Sequence, residues 1–311
     1  MCDCRCGRRH DFAIQEVQAV TTLLLYLFYS TMDVPHLGPI HDWIALQRTH
    51  ERLIMEAGQL AEPTSTDDMI NLSYPLAGGS YGAYQFSNTC VVDSILAGIH
   101  VLAKMYPQIR DLFTRDNKIN AVIRFLDFAK VNEAKALWLI NLSLRKEKNL
   151  MQNEFVDIRG YVRDHLSNFI ELVCASFDYD DSQSSSTPCD TVLNNILRKF
   201  EDYGEVKPLG TSRHEPKLIL VDIDDRMCIL PPLSITDDYE RTYELQFLLM
   251  GQSTPLSNHM VLFLCTQLTG RWMIYDNMKT PMVQDIGVSE LQRAAERDKY
   301  VSYLAAYVKK E

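Results

Sequence analysis

The sequence predicts an α+β fold with a helical N-terminal half and an antiparallel sheet in the C-terminal half. Apolar residues between Cys90 and Phe177 recur near helical spacing and are densest from Leu126 to Leu142, where we expect an inner helix. From residue 217 onward the apolar runs are short and separated by turn residues, which is typical of strands. Between the two halves, residues 178–190 are acidic, Ser-rich and without apolar periodicity, and they predict an exposed, mobile loop.

Two domains are predicted, an N-terminal helical extension at residues 1–68 and a larger domain at residues 69–311. Residues 12–61 have the pattern of two helices interrupted near residues 35–39, where prolines cluster.

The first thirty residues contain two features that could indicate targeting, metal binding or lipid attachment. The apolar run at residues 19–29 is too short to span a bilayer, and we favour a buried helix over a signal peptide. Cys2, Cys4 and Cys6 alternate before it. A disordered tail is favoured there, with a zinc site or a lipid anchor as the alternatives.

The composition is ordinary for a globular enzyme, with 46% hydrophobic and 23% charged residues among 311. The net charge of -10 argues against a nucleic-acid-binding protein that uses a broad basic surface, and it suits a basic partner. The eight cysteines lack the spacing of a disulfide framework, so we expect a reducing intracellular compartment, cytoplasmic or nuclear. No cofactor, metal or membrane span is predicted.

A first chemical motif lies at residues 85–90, QFSNTC, immediately before an apolar helical pattern. It places Cys90 at a helix N-terminus, where the helix dipole and a neighbouring imidazolium favour a thiolate. The side-chain amide of Gln85, together with the backbone N–H of Cys90, is a candidate donor to an oxyanion. For Cys90 alone, a buried structural cysteine is the alternative.

A second motif lies in a predicted β-hairpin whose strands are the apolar runs at residues 260–264 and 272–275. His259 begins one strand and Asp276 ends its antiparallel neighbour, so the two side chains are expected side by side. Asn277 is a second candidate for orienting the imidazole. Taken alone, His259 also fits a solvated loop and Asp276 a turn.

The two motifs together contain the parts of a thiol hydrolase that attacks a carbonyl carbon. Cys90 supplies the nucleophile, His259 transfers the proton, Asp276 orients His259, and Gln85 stabilises the oxyanion.

These motifs resemble the boxes of the ubiquitin-specific proteases. Residues 88–90, NTC, with Gln85 upstream, look like the cysteine box N-x-G-N-T-C, and His259 with Trp272 and Asp276 looks like the histidine box. Residues 90–96 also resemble the cysteine helix of the SUMO isopeptidase branch, C-x-L-D-C-I-L. The resemblance extends from about residue 84 to the end of the chain.

The resemblance implies a papain-like cysteine protease fold and a thiol isopeptidase that removes ubiquitin or a SUMO-like modifier from conjugates. A modifier tail ending in Gly-Gly requires a narrow channel, whose walls we expect at residues 78–84, with Gly79 and Gly82, and at a loop of residues 252–258, with Asn258. Trp272 belongs to the same region, and we expect it to pack under the histidine.

Two other functions remain open on the sequence alone. One is a module that binds a modifier without cleaving it, on the same fold. The other is a papain-like protease or acyltransferase for unrelated substrates, since hydrolysis and transfer share an acyl-thioester intermediate.

Overall fold

The structure is a computed structural model. It describes residues 38–61, 72, 74–160, 162, 164–165, 217–222, 230–236, 240–254, 257–266 and 271–310. The chain divides into two compact units, residues 1–45 and 46–311, and the second contains the elements below except the first residues of α1. The predictions for Cys2, Cys4 and Cys6, for the boundary at residue 68, and for the loop at residues 178–190 lie outside the described residues.

The N-terminal half of the described chain is helical, as predicted. Its helices are α1 (Gly38–Gln59), α2 (Cys90–Met105), α3 (Pro107–Thr114), α4 (Asn117–Asp127) and α5 (Val131–Arg145). Pro107 begins α3, because a proline at the first helical position lacks only an N–H that has no intrahelical partner. Asp116 caps α4 by accepting hydrogen bonds from the backbone N–H groups of Lys118 and Ile119, at 2.7 and 3.1 Å.

The expected inner helix across residues 126–142 is interrupted, which corrects that prediction. Helix α4 ends at Asp127 and α5 begins at Val131. Ala129, between them, has a φ of 56°, in the left-handed region that a helix cannot contain. The apolar pattern continues across this break because both helices contribute to one core, and periodicity alone does not detect the turn.

The strands form two sheets in the described part of the chain. The small one has the order β1 (Ser80–Tyr81), β2 (Tyr84–Ser87) and β3 (Phe155–Asp157), with β2 and β3 parallel. The large one is antiparallel, and its strands are β4 (Leu218–Asp222), β5 (Ser234–Thr236), β6 (Thr242–Thr254), β7 (Ser257–Thr266), β8 (Arg271–Tyr275), β9 (Val283–Ile286) and β10 (Tyr300–Lys309). Its order is β4-β10-β6-β7-β8-β9, with β5 paired to β6. Helix α6 (Val288–Arg297) precedes β10. The α+β class is therefore confirmed.

Helix α2 is the central element, because it is buried from Val91 to Ala103. It packs on β6 and β7 on one side and on α3, α4 and α5 on the other. A helix covered on every side is apolar all round, which explains its nearly continuous apolar sequence. A Cβ at Gly98 would lie 3.0 Å from the Phe247 ring, so the glycine allows α2 to approach β6 closely.

Among the described helices, no single one is both long and apolar enough to cross a membrane. Taken together, α2 and α3 pass on length and composition, but the chain bends by 117° between them.

Candidate active site

The chain turns from β2 into α2 at the cysteine motif. Asn88 has a φ of 54°, a conformation that asparagine tolerates better than most residues, and its side-chain Nδ2 donates to Asp157 Oδ1 at 2.8 Å. Thr89 is the N-cap, and Cys90 is the first residue of the helix. The Cys90 thiol is free and only partly buried. The nucleophile candidate therefore lies at a helix N-terminus, where the sequence predicted it.

His259 and Asp276 come together through the antiparallel pairing of β7 and β8. Leu262 pairs with Tyr275, which brings the start of β7 beside the end of β8. His259 lies near that start, and Asp276 directly follows β8. The ring Nε2 of His259 lies 2.8 Å from Asp276 Oδ1. The expected contact is present, and Asp276 rather than Asn277 makes it.

The Asp276 carboxylate is held by several donors. Its Oδ1 also accepts from the backbone N–H of Met278 at 3.0 Å, and its Oδ2 lies 3.2 Å from the Lys279 ammonium. Burial alone would raise the pKa of Asp276, but the hydrogen bonds from His259, Met278 and Lys279 outweigh burial and lower this pKa to about 2. The carboxylate is ionised at any pH near neutrality.

The His259 imidazole lies between the carboxylate and the thiol. Hydrogen bonds with Asp276 and then with Cys90 raise the pKa of His259 to about 9, against the opposing effect of burial. Because Nε2 faces Asp276, Nδ1 is the ring nitrogen left for the Cys90 thiol. The structure thus brings Cys90, His259 and Asp276 into one contiguous group that favours an imidazolium ion.

The His259–Asp276 pair predicts a pH-dependent contribution to stability. The pKa of His259 is raised to about 9, so its contribution is complete below its ordinary value near 6.5 and is lost as pH rises through about 9. The pKa of Asp276 is lowered to about 2, so its contribution is present above about pH 4 and is lost as pH falls toward 2. We expect Asp276→Asn to reduce the free energy of unfolding more at about pH 6 than at about pH 10.

Urea unfolding of the parent and of Asp276→Asn at both pH values tests this expectation. Asp285→Asn is the control, because Asp285 is an exposed carboxylate on β9 whose Arg271 partner lies at 3.9 Å. An Asp276→Asn penalty of equal size at both pH values would contradict an ionised pair.

The oxyanion candidate, Gln85, lies in β2 with an exposed side chain, on the same side of the strand as Ser87. Its backbone N–H donates to the Glu154 carbonyl at 2.6 Å, and Phe155 on β3 is its neighbour in register. The backbone of Gln85 is therefore fixed by the small sheet while its amide remains at the surface. Its role in catalysis stays a prediction.

Gly79 and Gly82, which are both expected in the wall of a substrate channel, differ from each other in their surroundings. Gly79 has a φ of 108°, and a Cβ there would lie 2.2 Å from Asn132 Oδ1, so bulk at this position strains the fold. Gly82 has a φ of 57° in the β1–β2 turn, with open space where a Cβ would be. Gly79 thus has a packing function independent of any substrate, whereas Gly82 is available at the surface.

The second expected wall, a loop of residues 252–258, is mostly strand, which corrects that prediction. Strand β6 continues to Thr254 and β7 starts at Ser257, so Asn258 lies within β7, opposite Ser253. Trp272 is only 3% exposed and belongs to the apolar cluster between the sheet and α6. Trp272 is therefore buried, but it pairs with Cys265, six residues along β7 from His259, so the expectation that it packs under the histidine is wrong.

Three charged residues near the site were not identified from the sequence. Lys279 contacts Asp276, and Asp93, in the first turn of the helix that Cys90 begins, forms a buried ion pair with Lys135. Asp93 in α2 and Lys135 in α5 each lie within a buried stretch of helix whose other residues are mainly apolar. Opposite charges within two buried helices are a signal for a buried pair, because single buried charges are rare.

No group of three or more potential metal-ligand side chains is found in the described ranges. No protein-family model matches the sequence, and no curated protein matches it.

Some solved structures are similar at a low level. The SAGA Ubp8/Sgf11/Sus1/Sgf73 DUB module bound to ubiquitin aldehyde gives a TM-score of 0.45 at 10% identity, over 82% of this chain and 72% of that chain. An essential yeast splicing factor gives a TM-score of 0.43 at 11% identity, over 75% and 69%. Similarities of this size do not identify a family for this chain.

Proposed function

We propose that this protein is a thiol isopeptidase that removes ubiquitin or a SUMO-like modifier from conjugates. One observation carries the proposal: Cys90 begins α2 beside an imidazole whose Nε2 lies 2.8 Å from the Asp276 carboxylate. Because nucleophile, base and orienting carboxylate occur in a chain of contacts, acyl transfer through a thioester is the reaction that suits the site. The papain-like fold and the modifier as substrate rest on the resemblance of the two sequence boxes.

The reaction proceeds in two stages. The Cys90 thiolate attacks the modifier's C-terminal carbonyl, and an S–C bond forms while the carbonyl oxygen becomes an oxyanion. The amide C–N bond then breaks, the imidazolium of His259 gives its proton to the departing lysine amine, and a thioester remains. In the second stage His259 takes a proton from water, the resulting hydroxide attacks the thioester, and the thiolate and free modifier are released.

The Asp276 carboxylate maintains the geometry through both stages. It accepts from Nε2, so the imidazole presents Nδ1 to the thiol, and its negative charge stabilises the imidazolium. The backbone N–H of Cys90 is an N-terminal group of α2 and has no helical acceptor, so it is available to the oxyanion.

Ubiquitin and SUMO probes that bear a C-terminal electrophile test the proposed function. We expect one of them to form a covalent adduct at Cys90, observed as a mass increase of the whole protein and located by peptide mapping. If neither probe reacts while iodoacetamide alkylates Cys90, the modifier assignment is wrong. Tight binding of an unreacted modifier would then favour the non-catalytic binding module.

The oxyanion role of Gln85 gives a separate prediction. If its amide donates to the oxyanion, Gln85→Ala lowers kcat by about 10²–10³ with a smaller change in KM, because the hydrogen bond is strongest in the transition state. Steady-state cleavage of a modifier conjugate measures both constants.

The control for this measurement is Ser87→Ala. Ser87 lies on the same exposed side of β2, and its hydroxyl makes only a 3.4 Å contact with the Val156 carbonyl. If kcat of Gln85→Ala stays within a few-fold of the parent, Gln85 is structural and Asn88 becomes the candidate donor.

A further inference from the structure

A buried carboxylate connects the nucleophile's helix to the loop that holds Asp276. Asp93 lies one helical turn after Cys90, and its side chain is fully buried. Its Oδ2 accepts a hydrogen bond of 2.6 Å from the Thr89 hydroxyl and another of 2.6 Å from Asn277 Nδ2. Asn277 directly follows Asp276. One carboxylate oxygen therefore joins the start of α2 to the residue next to the orienting carboxylate.

The other oxygen of Asp93 is paired with an equally buried cation from α5. Lys135 Nζ lies 2.8 Å from Asp93 Oδ1 and 2.6 Å from each of the Leu76 and Gly78 carbonyls. The ammonium thus has three close oxygen neighbours, and the two backbone carbonyls accept hydrogen bonds from it while Asp93 pairs with its charge. We call Asp93, Lys135, Thr89 and Asn277 the Asp93 network.

The Asp93 network also fixes the segment that precedes the cysteine motif. The Thr89 hydroxyl accepts from the backbone N–H of Gly78 at 2.8 Å, and the Asn277 carbonyl accepts from the N–H of Ala77 at 3.4 Å. Residues 76–78 are consequently bound to α2, to α5 and to the loop after β8. These contacts converge within a few residues of both Cys90 and Asp276.

Fold stability alone does not account for such a network. A buried ion pair costs much of its attraction in lost hydration, and apolar residues of similar volume stabilise a core equally well. Asn277 moreover leaves its own Oδ1 without a hydrogen-bond partner among the described residues while Nδ2 donates to Asp93. Hydrogen bonds are directional, so they fix one arrangement of the groups that they join. Apolar packing does not specify such an arrangement.

We propose that Asp93, Lys135 and Asn277 are positioning residues that set the placement of Cys90 relative to the His259–Asp276 pair. This inference rests on the proposed function and deepens it. Asp93 fixes the first turn of α2, Asn277 fixes the loop of Asp276, and their hydrogen bond joins the two. Lys135 pairs with the Asp93 carboxylate: burial raises the pKa of Asp93, and the nearby ammonium opposes that rise.

Several charged or titratable groups other than those of the Asp93 network lie near the Cys90 thiol. His259 on β7 contacts it, and Tyr275 at the end of β8 interacts with it electrostatically. Asp276 lies behind His259, and Lys279 lies behind Asp276. Replacing Asn277, which is neutral, removes none of these charged groups, and it acts on the charge of Asp93 only through the hydrogen bond that it donates to that carboxylate.

The test compares Asn277→Ala with Asn141→Ala. Both asparagines are buried, at 5% and 3% exposed, each makes a buried hydrogen bond of 2.6 Å, and each has one unpartnered polar atom among the described residues. Asn141 lies on α5 and bonds to His50 on α1, which is outside the site. The two substitutions therefore remove comparable interactions from different places.

We expect Asn277→Ala to lower kcat for a modifier conjugate by about 10- to 100-fold per folded molecule, with KM changed only a few-fold. Iodoacetamide should also alkylate its Cys90 more slowly below neutral pH, because the imidazolium no longer faces the thiolate. Asn141→Ala should keep the parent's kcat and alkylation profile. Equal kcat values for the parent and Asn277→Ala would overturn the positioning role.

A double variant distinguishes the loss of positioning from a folding defect. Asp93→Asn/Asn277→Asp exchanges acceptor and donor and retains one carboxylate, whereas Asn277→Asp alone places two carboxylates in contact. We expect the double variant to recover at least about 10-fold in kcat over Asn277→Asp. No recovery in a folded double variant would count against the proposal.

If the proposed function is wrong, these experiments give a different result from the one expected if only the positioning role is wrong. In that case the parent reacts with no modifier probe, whereas the iodoacetamide profiles of the parent and Asn277→Ala still report whether the network positions Cys90. Parent cleavage with an unaffected Asn277→Ala overturns only the positioning role.

Discussion

Cys90→Ala should abolish cleavage of modifier conjugates, with a loss of about 10⁴-fold or more, while the protein remains folded. The loss is large because Cys90 forms the acyl intermediate in the proposed mechanism. The fold should tolerate the change, since Cys90 is only partly buried and alanine is a good helix former. Steady-state cleavage and a thermal unfolding curve measure the two effects.

Cys265→Ala is the matched control for Cys90→Ala. Cys265 is also free and partly buried, and it lies on β7, the strand that holds His259. Burial, and then the nearby Glu244 carboxylate, raise the pKa of the Cys265 thiol, so it is a poor nucleophile at neutral pH. Cys265→Ala should keep full activity. Probe labelling at Cys265, with Cys90 unreactive, would contradict the assignment of the nucleophile.

His259→Gln should lower kcat by about 10⁴-fold or more, close to the effect of removing Cys90. Glutamine retains a polar group near Asp276, but it neither accepts the thiol proton nor returns a proton to the leaving amine. The double variant Cys90→Ala/His259→Gln should be no slower than either single variant, because the two residues act as one unit. Single-turnover cleavage under excess enzyme measures these losses.

His50→Gln is the control for the histidine. His50 is another buried imidazole, and its Nε2 lies 2.6 Å from Asn141 Oδ1. Burial, only partly opposed by this hydrogen bond, lowers the pKa of His50, so it is neutral near pH 7 and unlike His259. His50→Gln should change stability and leave kcat per folded molecule unchanged. Retention of most activity by His259→Gln would exclude His259 as the proton-transfer group.

The local order of elements around the site was available from the sequence. The helix starting at Cys90 and the hairpin before Asp276 were predictable because their signals are short-range, namely helical spacing, strand alternation and turn residues. The sequence alone also identified Cys90, His259 and Asp276 as a set, because a thiol, an imidazole and a carboxylate occur at ordered places relative to these elements.

The sequence did not reveal the break between α4 and α5, because a single left-handed residue, Ala129, leaves the apolar pattern unchanged. It also suggested a loop at residues 252–258, because polar and small residues occupy what the structure shows to be the ends of β6 and β7. Strands that extend beyond the core pair through their backbones and need no apolar side chains there.

Only the tertiary structure decided which polar residues meet. Asp93 and Lys135 lie on α2 and α5, and Asn277 lies far along the chain after β8, yet one carboxylate joins them. Such contacts depend on how helices and sheet pack, and the sequence spacing of the residues contains no information about it. The same holds for the raised pKa of His259, which follows from its placement between Asp276 and Cys90. The sequence determined the chemical groups and the local elements, and packing determined their distances and charge states.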